Sequence, residues 1–107
     1  MELSIKQVCY LRGLAHKLHP VVQMGKAGYS AAFIKEVGRN LADHELIKVR
    51  IGVDDPGEFG AVADQLAEDT GALLVQTIGR IAVFYRAAEE PQIQLPTRKA
   101  VSASTGV

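Results

Sequence analysis

Apolar residues recur at intervals of three and four in three segments of the chain, which predicts three amphipathic helices. Each segment begins with a side chain suited to cap a first helical turn: Ser4, Ser30 and Asp55. We expect the first helix to end near Lys17, before Pro20, and the third to end at Gly71. The predicted buried stripes are Ile5, Val8, Leu11, Leu14, Ala15 and Leu18 in the first helix, Phe33, Ile34, Val37 and Leu41 in the second, and Phe59, Val62, Ala63, Leu66 and Ala67 in the third.

Four shorter segments are typical of β-strands. Residues 21–24 are a brief apolar run, and residues 46–53 alternate so that Lys48 and Arg50 point away from the apolar side. Residues 73–78 and 81–86 are both apolar, and Gly79 and Arg80 between them suit a two-residue hairpin turn with glycine first. The pattern therefore predicts two strands separated by helices, followed by a hairpin.

The element order α-β-α-β-α-β-β predicts an α/β fold, a two-layer sandwich with a four-stranded mixed sheet. Helical crossovers make the strands that they connect parallel, while the final hairpin is antiparallel. We expect residues 1–90 to form one domain and 91–107 to be a C-terminal extension, partly disordered. Within that extension, Ile93 and Leu95 are expected to dock an extended segment.

Composition excludes some classes of protein. Lone Cys9 rules out an intrachain disulfide framework, makes no zinc site by itself, and is expected to be a small core residue rather than a nucleophile. No apolar run approaches the length of a membrane span, and the N-terminus lacks the order of a signal peptide. We expect a cytoplasmic monomer without a metal, another cofactor or a membrane partner.

Charge is distributed unevenly, although the net formal charge is zero. Residues 1–53 carry eight basic and four acidic side chains, a balance of +4, whereas residues 54–90 carry two basic and eight acidic, a balance of −6. A neutral protein with one basic end can still bind a polyanion through that end. Ordinary surface variation explains the same asymmetry equally well at this point.

The sequence GKAG at 25–28 has the composition of an anion-binding loop. Gly25 and Gly28 allow the backbone to approach a ligand closely, and a helix start with unpaired N–H groups follows at Ser30. Lys26 adds a full positive charge. The loop is too short to wrap a nucleotide in the manner of a P-loop, but it suits the phosphates of an RNA backbone. The alternative is that the glycines only make a turn.

Four motifs in this order resemble the CRM domain (chloroplast RNA splicing and ribosome maturation). They are LRGLAH at 11–16, HPVVQMGKAG at 19–28, HELIKV at 44–49, and TGA, IG and YR between 70 and 86. In particular, the chain resembles the small stand-alone bacterial members associated with large-ribosomal-subunit precursors. The resemblance implies a fold similar to the C-terminal domain of translation initiation factor three, and RNA binding through the GxxG loop and nearby basic residues.

The predicted RNA contacts combine the loop with its cationic surroundings, as one continuous patch from the end of the first helix to the start of the second. The set is Lys6, Arg12, Lys17, His19, Gly25, Lys26, Ala27, Gly28, Lys35 and Arg39. His19 stands where the family usually has a basic residue, and Tyr29 where it usually has an aliphatic one. We expect Tyr29 to pack at the helix start rather than to stack on a base.

These observations predict a non-catalytic protein that binds ribosomal RNA or a large-subunit precursor and assists assembly. No catalytic set is visible: His44 beside Glu45 is expected to cap the second helix, and Arg80 and Arg86 to be surface charges. Whether Lys48 and Arg50 join the interface stays open. The alternatives are a protein-interaction module on ribosomal particles, with ribosomal proteins as partners, and an enzyme acting on a small phosphorylated ligand.

Overall fold

Seven elements follow one another in the predicted order, as seen in a computed structural model that describes residues 3–96. The helices are α1 (Ile5–Ala15), α2 (Ala31–His44) and α3 (Pro56–Thr70), and the strands are β1 (Pro20–Gln23), β2 (Leu46–Arg50), β3 (Leu73–Ile78) and β4 (Ile81–Tyr85). The three predicted caps are present: the side chains of Ser4, Ser30 and Asp55 each accept a hydrogen bond from a backbone N–H in the first turn.

The four strands form one mixed sheet in the order β1-β2-β4-β3. Strand β1 runs parallel to β2, as the α2 crossover predicts, and β4 is antiparallel to both β2 and β3. The hairpin turn has Gly79 at φ +58, the conformation that its first central position requires. Strand β2 is shorter than the alternation predicts, because β4 begins at Ile81, opposite Arg50.

Helices pack on both faces of the sheet. The predicted α/β fold with a four-stranded mixed sheet is confirmed. Ile47 and Phe84 pack in a cluster with the apolar side chains of α2 and α3, while their neighbours Leu46 and Val83 pack in a second cluster with α1. Successive strand residues point to opposite faces, so the two clusters lie on opposite sides of the sheet. The two predicted layers are therefore the sheet and the α2–α3 pair, and α1 adds a partial third layer.

The buried side of α1 differs from the predicted stripe. Leu11 and Ala15 are fully buried, but Ile5 is 84% exposed and Gln7 is only 7% exposed. Gln7 is buried because it belongs to a capping box with Ser4 and also donates from Nε2 to the carbonyl oxygen of Pro96, 3.0 Å away. Cys9 is exposed, so the expectation of a core cysteine is wrong: it lies on the side of the helix opposite Leu11.

Residues 93–96 lie against the α1 cluster. Ile93 and Leu95 are partly buried there, as their apolar character predicts. The division of the chain near residue 90 stays a prediction, and the disorder expected for the last residues concerns positions outside the described part of the chain.

The junction between α2 and β2 is made by Glu45 rather than by His44. His44 is the last residue of the helix, and Glu45 follows at φ +66 as its C-cap. The chain turns at this residue from the helix into the strand. A positive φ costs conformational energy in any residue that has a side chain. Glu45 is 1% exposed and accepts a hydrogen bond at its carbonyl oxygen from the N–H of Arg86.

Arg86 is a structural residue and not the surface charge that its position suggests. Its guanidinium donates from Nη1 to the carbonyl oxygen of Thr70 at 2.7 Å and from Nη2 to that of Gly38 at 3.0 Å. The first carbonyl ends α3 and the second lies in the middle of α2. One side chain therefore joins both helices of the same layer to the end of β4.

Candidate nucleic-acid interface

The GKAG segment forms a hydrogen-bonded turn just beyond the end of β1. The N–H of Gly28 donates to the carbonyl oxygen of Gly25 at 3.0 Å, which leaves Lys26 and Ala27 exposed at the two corners. Gly28 has φ +72, a value that glycine adopts at no steric cost. The second glycine is therefore required by the turn itself.

Gly25 has no such internal reason to be glycine. Its φ is not positive, and a Cβ atom built on it would meet no other atom within 4 Å. The residue is exposed, and it lies between the strand end and Lys26. Its bare backbone therefore faces open space.

The start of α2 follows the turn directly. Ser30 Oγ accepts from the N–H of Phe33 at 3.2 Å, and Ala31 and Ala32 are exposed. A first helical turn has backbone N–H groups that the helix itself does not use, and its dipole is positive at this end. Turn and helix start thus bring Lys26 and a positive helix end together.

Tyr29 connects this corner to α3. Its hydroxyl donates to Asp69 Oδ2 at 2.6 Å, and its ring meets that of Phe33 edge-on with centroids 6.0 Å apart. Partial burial, then the hydrogen bond and negative charge of Asp69, raise the pKa of Tyr29 above its ordinary range. Tyr29 packs at the helix start, as we expect from the sequence, and is held away from the outer side of the turn.

The other predicted contact residues fall into three groups. Lys35 and Arg39 are exposed on α2, one turn apart and beyond the GKAG turn. Lys17 and His19 precede β1, so that a strand of four residues, about 13 Å long, separates them from the loop. Lys6 and Arg12 are exposed on α1, across the sheet from α2. The α2 cations therefore follow the loop along the next helix, whereas the α1 group lies on the other face of the sheet.

Arg50 and Arg80, which are not in the predicted set of RNA contacts, lie at the end of the sheet next to the GKAG turn. The N–H of Met24 donates to the carbonyl oxygen of Arg50 at 2.9 Å, and that of Ile51 donates to the carbonyl oxygen of Arg80 at 2.8 Å. Arg80 forms an ion pair with Asp54, whereas Arg50 is exposed and forms none with the residues described. The register of β1 against β2 puts Arg50 there, a residue whose part in the interface the sequence left open.

His19 and His44 lie elsewhere, at the rim of an apolar cavity of about 540 Å³ near the end of α1. Its other walls are Leu14, Leu18, Val21, Leu46, Ile47 and Ile93. Among residues 3–96 no group of three or more His, Cys, Asp or Glu side chains is arranged to hold a metal ion. In the same range, no helix is long and apolar enough to cross a membrane.

The fold and the glycine turn define a class of small α/β domain in which an exposed GxxG turn joins a strand to a helix. Residues 3–86 match the family described as the CRS1 / YhbY (CRM) domain. The chain belongs to this family, and the resemblance carried by the sequence motifs is confirmed.

Several proteins of similar length also resemble this chain in sequence or in structure. The chain is 43% identical over 96 residues to an RNA-binding protein of Haemophilus influenzae, covering 90% of this chain and 97% of that protein. It is 39% identical over 95 residues to the Bacillus subtilis protein named "Probable RNA-binding protein YqeI", covering 88% and 99%. The solution structure of SAV1595 from Staphylococcus aureus, a candidate RNA-binding protein, superposes with a TM-score of 0.78 at 40% identity, covering 89% of this chain and all of that one.

Proposed function

We propose that this protein is a non-catalytic RNA-binding protein that holds an RNA backbone at its GKAG turn and assists assembly of the large ribosomal subunit in the cytoplasm. Exposed Lys26, the positive end of α2 and the bare backbone at Gly25 supply charge, N–H donors and space in one place. Each of these features favours the binding of a phosphate group.

The observation that supports the proposal most directly is the position of Gly25, next to Lys26 and close to the start of α2. Glycine loses more conformational freedom on folding than any other residue, at a cost of roughly 0.5–1 kcal/mol relative to alanine in regular structure. Neither the φ of Gly25 nor any neighbouring atom requires a glycine there, which is equally true of Gly13, Gly52 and Gly60. Gly25 differs from these in lying next to Lys26 and close to the start of α2. We infer that an external backbone approaches the chain closely at this point, which a Cβ atom would hinder.

The surrounding basic side chains extend the contact with RNA. Two of them, Lys35 and Arg39, follow the turn along α2. RNA that passes around the edge strand β1 to the α1 side contacts the others, which are Lys17, His19, Arg12 and Lys6. Contacts of this kind add affinity and salt dependence but do not distinguish bases. We therefore propose recognition by shape and backbone.

Ribosomal RNA as the target is supported by the family resemblance, and RNA as the partner by the names of the relatives. The rival functions make different predictions. Binding that survives nuclease and high salt would favour a protein-interaction module, and turnover of a small phosphorylated compound would favour an enzyme.

The test is the affinity for a stem-loop fragment of large-subunit ribosomal RNA as salt concentration rises. We compare the native protein with Lys26→Glu and with the matched control Ala61→Glu/Ala87→Glu, which also lowers the net charge by about two. Both control positions are exposed and away from the turn. We expect Lys26→Glu to bind roughly tenfold more weakly with a shallower salt slope. Equal affinity in all three proteins would overturn the proposal.

A further inference from the structure

Part of the sheet face that carries α1 is left uncovered. Helix α1 packs over the row of Leu46, Tyr85 and Leu73, at the end of the sheet away from the GKAG turn. In the next row Val83 is still fully buried in the α1 cluster and Lys48 is half-buried, whereas the last row, nearest the turn, is more open. Ile78 in that row is 51% exposed, and Val21 on the edge strand is 46% exposed. We name this surface the open half; it consists of Val21, Gln23, Lys48, Arg50, Ile78 and Ile81.

The open half is positively charged without compensation. Lys48 and Arg50 point to the α1 side because Ile47 and Val49 point to the α2–α3 side. None of the four strands contains an aspartate or glutamate. The ion pair of Arg80 with Asp54 is the only one among residues 3–96, so Lys48 and Arg50 have no carboxylate partner in that range.

Lys48 and Arg50 also lie between the end of α1 and the GKAG turn, beside the two ends of β1. Arg50 pairs with Gln23 beside the GKAG turn, and Lys48 pairs with Pro20, three residues after Lys17. They are about 7 Å apart, two residues along one strand. Leu18 and Val21 line one cavity, so the segment that follows α1 lies close to β1. Arg50 and Lys48 thus lie beside the two ends of β1, one of which leads into the GKAG turn while the other follows Lys17.

We propose that the open half is a second RNA-binding surface, on which the RNA backbone continues from the GKAG turn across β1 and β2 towards the end of α1. This inference rests on the proposed function. It explains how RNA held at the turn reaches Lys17, although β1 separates the two sites. The exposed amide of Gln23 offers a hydrogen bond along the path, and Ile78 and Ile81 offer apolar contact to ribose.

The experiment uses the same ribosomal RNA stem-loop, now with a single-stranded tail, and the variant Lys48→Gln/Arg50→Gln. This variant lowers the net charge by two while keeping side chains of similar length. We expect at least tenfold weaker binding and a salt slope shallower by about 1.4 to 1.8, the value for two lost phosphate contacts. The control Ala61→Glu/Ala87→Glu, with the same change in net charge, is expected to bind within about twofold of the native protein.

The outcomes separate this inference from the proposed function. Native affinity in Lys48→Gln/Arg50→Gln together with a loss in Lys26→Glu overturns only the second surface. Weaker binding with an unchanged salt slope also overturns it, because no phosphate contact is then lost. Native RNA affinity combined with lost binding to purified ribosomal proteins makes the open half a protein surface, which likewise overturns it.

A second measurement needs no variant. Titration of the native protein with the same RNA, followed by nuclear magnetic resonance, is expected to shift the backbone amide signals of Gln23, Arg50 and Ile81 together with that of Lys26. Shifts confined to the turn and α2 would overturn the inference while leaving the proposed function intact.

Discussion

Tyr29 and Asp69 are joined by a 2.6 Å hydrogen bond between residues 40 positions apart in the chain. Tyr29 is the residue that leaves the GKAG turn, and Asp69 is the penultimate residue of α3. Gln65 Nε2 donates to the other carboxylate oxygen of Asp69 at 3.0 Å and so orients it. The position of the turn is therefore set partly by α3, a helix that contributes nothing else to the candidate interface.

Tyr29→Phe removes this hydrogen bond and keeps the ring packing on Phe33. We expect the free energy of unfolding to fall by about 1 kcal/mol, the typical value of one such bond. Urea denaturation measures the change. Tyr10→Phe is the matched control, because Tyr10 is 41% exposed; equal stability of the two variants would show that the Tyr29–Asp69 bond contributes nothing.

The free energy of unfolding is expected to depend on pH in the alkaline range, because two tyrosines have raised pKa values. Partial burial, followed by Asp69, raises the pKa of Tyr29 above its ordinary value of 10.0, and burial followed by Glu45 raises the pKa of Tyr85. Unfolded tyrosine loses its proton near pH 10, while the folded side chains keep theirs, so the unfolding free energy should fall as pH rises above that value.

Denaturation curves between pH 8 and pH 11 measure this decline. Tyr29→Phe should lose less stability over that interval than the native protein, because one of the two shifted groups is gone. Tyr10→Phe provides the reference for the general effect of losing a phenol. A decline as steep in Tyr29→Phe as in the native protein would contradict the assignment.

Local signals in the sequence were sufficient for most of the fold. Ser30, Asp55, Gly71 and Gly79 mark helix and hairpin ends through interactions with residues no more than five positions away. The alternation in β2 correctly separates Ile47 and Val49 from Lys48 and Arg50. These features depend on backbone geometry and periodicity, which a single sequence expresses directly.

Features that depend on distant partners were missed. Gln7 looks like an exposed polar residue until Pro96 supplies its acceptor 89 positions away. Arg86 looks like a surface charge because backbone carbonyls, which any sequence contains, are its partners. For Arg50 the sequence left the question open, because only the register of β1 against β2 places it at the end of the sheet that carries the GKAG turn. In each case the contact is long-range and leaves no local pattern.

Arg86→Ala tests the link between the two helices. It leaves the carbonyl oxygens of Thr70 and Gly38 without their charged donor, and we expect a loss of about 3 kcal/mol in the free energy of unfolding. Arg86→Lys keeps the charge but not the fork of two donors, so it should restore only part of this loss.

Arg80→Ala is the control for Arg86, measured by the same denaturation. Its ion pair with Asp54 is solvent-exposed and should be worth less than about 1 kcal/mol. Equal losses for Arg80→Ala and Arg86→Ala would mean that Arg86 is an ordinary surface charge after all.

Leu11→Ala tests whether α1 is part of the folded core. Leu11 is fully buried between the helix and the sheet, so the variant should lose about 3 kcal/mol through lost burial and a residual cavity. Ile5→Ala, six residues earlier in the same helix, should cost less than about 0.5 kcal/mol because Ile5 is exposed. A loss below about 1 kcal/mol for Leu11→Ala would mean that α1 docks loosely in solution.

The two glycines of the turn should respond oppositely to alanine. Gly28→Ala forces a side chain into φ +72 and should cost about 1–2 kcal/mol of stability. Gly25→Ala meets no neighbouring atom and should leave stability unchanged or raise it by up to about 1 kcal/mol, because alanine restricts the unfolded chain. Affinity for the ribosomal RNA stem-loop should nevertheless fall in Gly25→Ala by about tenfold, the effect expected when a methyl group blocks close approach to the backbone. Full affinity in a stable Gly25→Ala protein would contradict this, because the bare backbone at position 25 would then serve neither the fold nor the ligand.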